Sequence, residues 1–236
     1  MKKLIFLLFP VFSYGQITIS KLVADANALS CLNIANINLV STAFTANKVY
    51  ICVAMVDSCS SYGTITGGSN TWNVVSQQQT GTGNTRRLSV WRTTSVATET
   101  VTMTLTVGNA RGVWFDFYLV EGVPNTNNGA DAILQAVKDS GSSANPVITM
   151  GGLLNNRSAV LSFFHNNANP FGGTPESSWT ETEDNGCTFG GVLGGMYSMH
   201  SIGINDNTPT VTASSSNWMG VALELRALGR RATVIN

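Results

Sequence analysis

Charged side chains make up only 11% of this 236-residue chain, and its 13 basic and 13 acidic residues cancel to a formal charge of zero. A nucleic-acid binder needs a basic footprint, so no nucleic acid is expected as a partner. Histidine is scarcer still, with only His165 and His200 present, and no Gly-x-Ser-x-Gly elbow occurs. Nucleophilic hydrolysis of the serine type therefore lacks its usual constellation. The four cysteines show no Cys-x-x-Cys spacing, which argues against structural zinc. No apolar run approaches the roughly 20 residues that a membrane-spanning helix requires, so no membrane span is expected. Internal repeats at solenoid or propeller spacing are also missing.

What fills the chain instead is Ser, Thr and Asn, which together account for about thirty percent of it. Its surface is wetted by hydroxyls and amides rather than by ions. Hydrophobic residues form 43%, including five Trp, five Tyr and ten Phe, which is enough apolar area to offset chain entropy and exclude disorder. The length suits one all-β domain.

Lys2 and Lys3 precede an apolar run from Leu4 to Phe12, and Ser13, Tyr14 and Gly15 follow. This order of charged, hydrophobic and small residues reads as a secretory signal peptide over residues 1–15, giving a secreted, extracellular protein that begins near Gln16. Cys31, Cys52, Cys59 and Cys187 all fall in the remaining chain, and an even count in an oxidising compartment leads to the expectation of disulfides, with three pairings left open. Cys52 also reads as a small buried hydrophobe within Val49 to Val56.

Period-two alternation recurs throughout, and helical periodicity is hard to find. From Thr100 to Val107 it is unbroken, with Thr100, Thr102, Thr104 and Thr106 on one face and Val101, Met103, Leu105 and Val107 on the other. Further strands are expected at 17–23, 49–56, 71–79, 87–93, 112–120, 159–165, 192–202, 208–212 and 218–226, separated by turn clusters such as 66–70, 80–84 and 166–173. Asp131 to Lys138 is the one stretch that passes for a helix, though a strand fits its surroundings better. The expected architecture is an all-β, two-sheet antiparallel sandwich of jelly-roll-like form over residues 17–228, with a flexible tail at 229–236.

Three stretches carry a family resemblance: Asn70 to Val75, Arg86 to Arg92 leading into the threonine strand, and Asn217 to Ala227. Together they resemble a widespread, poorly characterised extracellular jelly-roll-like β-sandwich domain of secreted bacterial proteins and phage structural proteins. The resemblance covers nearly the whole mature chain and implies a fold, with no catalytic residues to carry over. At Glu121-Gly-Val123 the chain departs from the longer Glu-Tyr-Ser-Gly-Val ending usual in that family.

For a ligand site the most suggestive strand is Val113 to Leu119. Alternation puts Val113, Phe115, Phe117 and Leu119 on one face and Trp114, Asp116 and Tyr118 on the other. With the first set in the core, Trp114, Asp116 and Tyr118 present two rings flanking a carboxylate, the chemistry of sugar recognition. If the strand is central and covered on both faces, all three are interior instead. Trp179, Tyr62 and Tyr197 are aromatics that would extend such a surface. Glu181, Glu183 and Asn185 echo the alternating oxygens of a calcium loop, so calcium is the one cofactor left open. Val192 at the twelfth position excludes an EF-hand. Asp116, Glu121 and Glu224 are candidate glycosidase carboxylates. His165 reads as a solvated residue at a strand end, and His200 as a satisfied polar residue. The threonine face lacks the tandem repetition across strands that an ice-binding surface needs. Three functions follow: a secreted non-catalytic sandwich that binds glycans or a cell-surface polymer, a structural or assembly subunit of a virion or surface layer, in which case the chain is an oligomer, and, third, a glycosidase.

Overall fold

The computed structural model describes residues 16–22, 34–57, 63–79, 86–110, 112–154, 157–166, 171–189, 192–203, 206–213 and 216–228, with side chains left aside at 34–35, 40, 109–110, 112, 185–189, 192–193 and 216. The expected signal peptide and tail, and Cys31, Cys59 and Tyr62, lie outside the described residues. In chain order the strands are β1 (Thr18–Lys21), β2 (Ile34–Phe44), β3 (Val49–Asp57), β4 (Thr64–Thr66), β5 (Asn73–Gln79), β6 (Arg87–Thr94), β7 (Glu99–Ala110) and β8 (Gly112–Glu121). A 3-10 turn at Asn127–Ala132 leads into β9 (Ile133–Ser143), β10 (Ala159–Asn166), β11 (Thr174–Pro175), β12 (Thr180–Phe189), β13 (Val192–Ile202), β14 (Val211–Thr212) and β15 (Ser216–Leu225). The stretch that resembled a helix therefore divides into the end of that turn and the start of a strand.

Antiparallel pairing builds a first five-stranded sheet in the order β1-β8-β3-β6-β5 and a second in the order β12-β13-β10-β15-β9. A three-stranded sheet, β2-β7-β4, and a short ribbon, β11-β14, complete the pairing. The sheets pack face to face as an antiparallel sandwich, but with a third layer, because the first sheet is covered on both sides. Ile51, Val53, Met55, Leu88, Val90 and Trp114 meet Leu161, Phe163, Met196, Val221 and Leu223 of the second sheet. From its other face Tyr50, Cys52, Ala54, Trp91, Phe115 and Phe117 meet Ile37, Leu39, Met103 and Leu105 of the three-stranded sheet. This double cover explains why all nine residues of β3 are buried and why its sequence reads as a continuous apolar run rather than an alternation. The far face of the second sheet is sealed in turn by Ile148, Met150, Phe171, Trp179 and Val211 packing on Val160, Phe164, Tyr197 and Trp218.

Sequence order and layer order coincide. Residues 18–121 supply every strand of the first sheet and of the three-stranded sheet, whereas the second sheet is built wholly from residues 133–225.

Strand β7 behaves as its alternation requires. Met103, Leu105 and Val107 are buried, and its threonines face outward between neighbours, giving rows Asn36, Thr106, Thr64 and Asn38, Thr104, Thr66 across three strands. Thr104 and Thr106 donate hydroxyl hydrogen bonds to the side-chain oxygens of Asn38 and Asn36 at 3.2 and 2.8 Å.

The expected disulfide framework is corrected. Cys52 is a free, fully buried thiol. It stands opposite Trp91 and Phe117, in the layer shared with the three-stranded sheet. Burial, and then the charge of Asp116, push this thiol well above its ordinary pKa, so it packs as a small apolar group. No sulfur–sulfur bond occurs among the described residues.

Close approach dictates one glycine. A Cβ on Gly195 of β13 would lie 2.4 Å from the backbone nitrogen of Phe171, so only glycine lets the 171–173 segment lie flat on the second sheet.

Candidate functional site

Strand β8 sorts its side chains as alternation predicts, but neither face meets solvent. Val113, Phe115 and Phe117 point to the three-stranded sheet, while Trp114 and Tyr118 join the core shared with the second sheet. Trp114, Asp116 and Tyr118 are 3%, 2% and 0% exposed. The face assigned to sugar stacking is thus an interior one, because the second sheet covers it. Of the aromatics expected to extend it, Trp179 and Tyr197 are buried on the far side of that second sheet.

Instead, the three residues belong to a polar seam between the two five-stranded sheets. The Tyr118 hydroxyl lies 3.2 Å from Asp116 Oδ2, to which it donates, and 2.7 Å from Ser198 Oγ on β13. Its ring packs on Phe163, with centroids 5.6 Å apart. Burial first, and Asp116 second, hold the phenol well above its ordinary pKa, so it remains a donor. Lys21, at the end of edge strand β1, reaches in with Nζ 3.2 Å from Asp116 Oδ1. The same ammonium contacts the carboxylate of Glu183 on β12, the edge strand of the opposite sheet. The side chains of Lys21, Asp116 and Glu183 are only 12%, 3% and 15% exposed.

His165 stands one residue before the end of β10, and it is fully buried rather than solvated. Its Nδ1 lies 2.7 Å from the carbonyl of Gly195, and its Nε2 faces Arg86 Nη1 at 3.5 Å. Arg86 in turn donates from Nε to Asp57 at 2.9 Å. Burial, and then the neighbouring guanidinium, push His165 down to about 3, so at neutral pH it donates from Nδ1 and accepts at Nε2. His200 pairs with the Thr182 hydroxyl at 3.0 Å and is held below its ordinary value by burial.

The acidic segment read as a loop is strand β12, and a bulge between Glu181 and Glu183 sends these carboxylates to opposite faces of the sheet. Glu181 accepts from the Tyr197 hydroxyl at 3.2 Å on the outer face, while Glu183 turns inward to Lys21. They do not converge on one ion, and Asn185's side chain lies outside the described ones. Among the described residues no three His, Cys, Asp or Glu side chains cluster as metal ligands. The glycosidase candidates diverge as well. Asp116 is in the seam, Glu121 pairs with Lys48 at 2.6 Å, and Glu224 is buried on β15. Glu224 accepts from Ser158 Oγ at 2.6 Å, Gln135 Nε2 at 2.7 Å and the Leu154 backbone N–H at 2.9 Å. It acts as a structural acceptor, and Glu224→Ala should lower unfolding free energy in urea by about 3 kcal/mol, since the buried Ser158 hydroxyl and two further donors would lose a shared acceptor.

An open concavity lies elsewhere, at one end of the first sheet. Asn47, Thr71, Asn73, Thr94, Ser95, Val96, Asn125 and Asn128 line a hollow of about 540 Å³ without one ionisable group. Its walls are well braced. Asn128, at φ 52°, accepts from the Thr94 N–H at 2.8 Å and donates to the Thr71 carbonyl at 2.6 Å. Asn125 donates to the Asn47 carbonyl at 2.9 Å, and Asn47 itself sits at φ 62°. Asparagine tolerates this left-handed backbone better than most residues. The side-chain amides of Asn47 and Asn73 make no hydrogen bond to another described residue. No sequence periodicity marks this hollow, because its residues come from four turns and strand ends.

Compared with known protein families, with characterised proteins and with solved structures, the chain has no match. No described helix is long and apolar enough to cross a membrane.

Proposed function

We propose that this protein is a secreted, non-catalytic β-sandwich module that binds a neutral glycan or cell-surface polymer at the hollow around Asn47, Asn73, Asn125 and Asn128. The observation that carries the reading is the lining itself: amides and hydroxyls with no ionisable group, at a volume within the range of small-ligand sites. Sugar hydroxyls both donate and accept, as do the uncommitted amides of Asn47 and Asn73, and the braced backbone pre-organises them. A binding role rather than a catalytic one is supported by the dispersal of Asp116, Glu121 and Glu224 into separate environments and by the burial of His165. The jelly-roll-like connectivity that accompanies this reading draws support from the pairing of β1 with the distant β8.

The test is an array of immobilised neutral polysaccharides probed with wild-type protein and with Asn73→Ala. Losing one hydrogen-bonding amide is expected to weaken binding by roughly tenfold while leaving the thermal melt unchanged. Retention of full affinity by Asn73→Ala and Asn47→Ala overturns this site. A second reading, an assembly subunit, is favoured by the uncharged outer face of β2, β7 and β4. In light scattering, ordered growth with concentration in the absence of glycan supports it, and a persistent monomer removes it.

A further inference from the structure

An ammonium held between two carboxylates in a nearly dry seam is a costly way to fasten an edge strand, because ions lose hydration there that their mutual attraction only partly restores. Strand β1 is four residues long and pairs along one side only, with β8. Its last residue, Lys21, lies opposite Tyr118 in the register, and its side chain reaches onward past the strand end to Asp116. Nζ stands 3.2 Å from Asp116 Oδ1, an ion-pair contact that brings the amine beside the carboxyl it would attack. The other oxygen, Oδ2, receives the Tyr118 hydroxyl, which is itself braced by Ser198. Glu183 touches the ammonium from the opposite sheet and is the more exposed of the two carboxylates, toward the open edge. Amine, carboxyl, hydrogen-bond donor to the carboxyl and proton acceptor beside the amine therefore meet in one enclosed place.

We propose that Lys21 and Asp116 become joined by an intramolecular amide bond in the folded protein, with Glu183 moving the protons and Tyr118 supporting the carboxyl oxygen. Glu183 takes a proton from the Lys21 ammonium, and the freed Nζ lone pair attacks Asp116 Cγ. Negative charge gathers on Oδ2, where the Tyr118 hydroxyl stabilises it as an oxyanion-hole donor would. Glu183 passes its proton to Oδ1, then takes a second from nitrogen and passes that on as well. The Cγ–Oδ1 bond breaks and the oxygen leaves as water. One ammonium and one carboxylate thus become one amide and one water, Glu183 is restored, and no external reagent is consumed. The dry surroundings favour the product, since condensation removes two buried charges and little water is present to reverse it. Because the acceptor of the protons comes from the second sheet, the bond forms only after the two sheets have packed. This inference stands independently of the glycan reading.

Intact mass of the full folded chain, taken under denaturing conditions, is expected to be lower than that of its sequence by one water. Protease digestion should yield a branched peptide joining the segments that contain Lys21 and Asp116. Lys21→Arg and Asp116→Ala should each restore the full mass. Glu183→Gln keeps both reacting groups and should slow the loss of water after refolding by at least a hundredfold, as expected when a proton-transfer group is removed. A wild-type chain that keeps its full mass after days in the folded state overturns the proposal without any variant. A branched peptide that maps to another pair overturns it too, and closure of Glu183→Gln at the wild-type rate removes Glu183 from the reaction.

Discussion

Trp114→Ala is expected to destabilise the protein by about 3 to 5 kcal/mol, the range for deleting a large side chain from a core that relaxes only partly. For a chain of this size that is a fall in Tm on the order of 10 °C. The indole is 3% exposed, lies 6.3 Å from the His165 ring by centroid, and is packed so closely that a Cβ on Gly194 would come within 3.1 Å of it. Nothing small moves easily into the space it leaves. A thermal melt checks this, with Val96→Ala as the control, because Val96 is 66% exposed and its truncation should shift the melt by no more than a degree or two. A Trp114→Ala melt as mild as that control would mean that the two five-stranded sheets do not pack through this residue.

The second large effect is on acid stability. His165 is pushed down to about 3 in the native state, chiefly by burial and then by Arg86. Unfolded, it titrates near 6.5, so below that pH the unfolded chain takes up a proton that the folded chain refuses. Stability is therefore lost as pH falls from about 6.5, and the loss grows until about pH 3, reaching about 4 kcal/mol. His200, also lowered by burial, acts in the same direction. The informative window is pH 6.5 to 5, where carboxylates remain mostly ionised. Urea unfolding there should show about 2 kcal/mol of loss attributable to His165. His165→Phe is expected to be less stable at pH 7, where the Gly195 carbonyl loses its donor, yet to show a flatter slope with pH. An unchanged slope in that variant would separate the acid response from this histidine.

Much of the strand plan was legible because burial on one face leaves a period of two. The threonine strand is the clearest case, and the continuous apolar run of β3 carried the mark of cover on both faces. The same reasoning divided Trp114, Asp116 and Tyr118 correctly from Phe115 and Phe117, and left open what covers each side. Alternation fixes which residues share a face, whereas the presence of a third layer is a tertiary fact. Strand β2 escaped notice because bulges beside Ile34 and after Asn38 interrupt its period. Acidic β12 looked like a loop because an edge strand tolerates charge, and its bulge turned two carboxylates spaced as if for one ion into partners of Tyr197 and Lys21. The hollow was invisible for a different reason, since amide-lined turns leave no period at all.

The agreement between sequence order and layer order bears on how the chain comes to be folded. Every pairing of the first eight strands lies within residues 18–121, so the earlier half can complete its strand pairing before the later half is needed. What it cannot complete is its surface. Until β10, β13 and β15 arrive, Ile51, Val53, Met55, Trp114 and Val120 form an open apolar wall with Lys21 and Asp116 at its side. During synthesis that wall is a sticky intermediate, prone to meet the wall of another nascent copy. Crowded expression should favour aggregates, and a chain truncated near Val123 should remain trapped at that stage. Supplied in trans, the segment from Asn127 onward is the natural partner to release it.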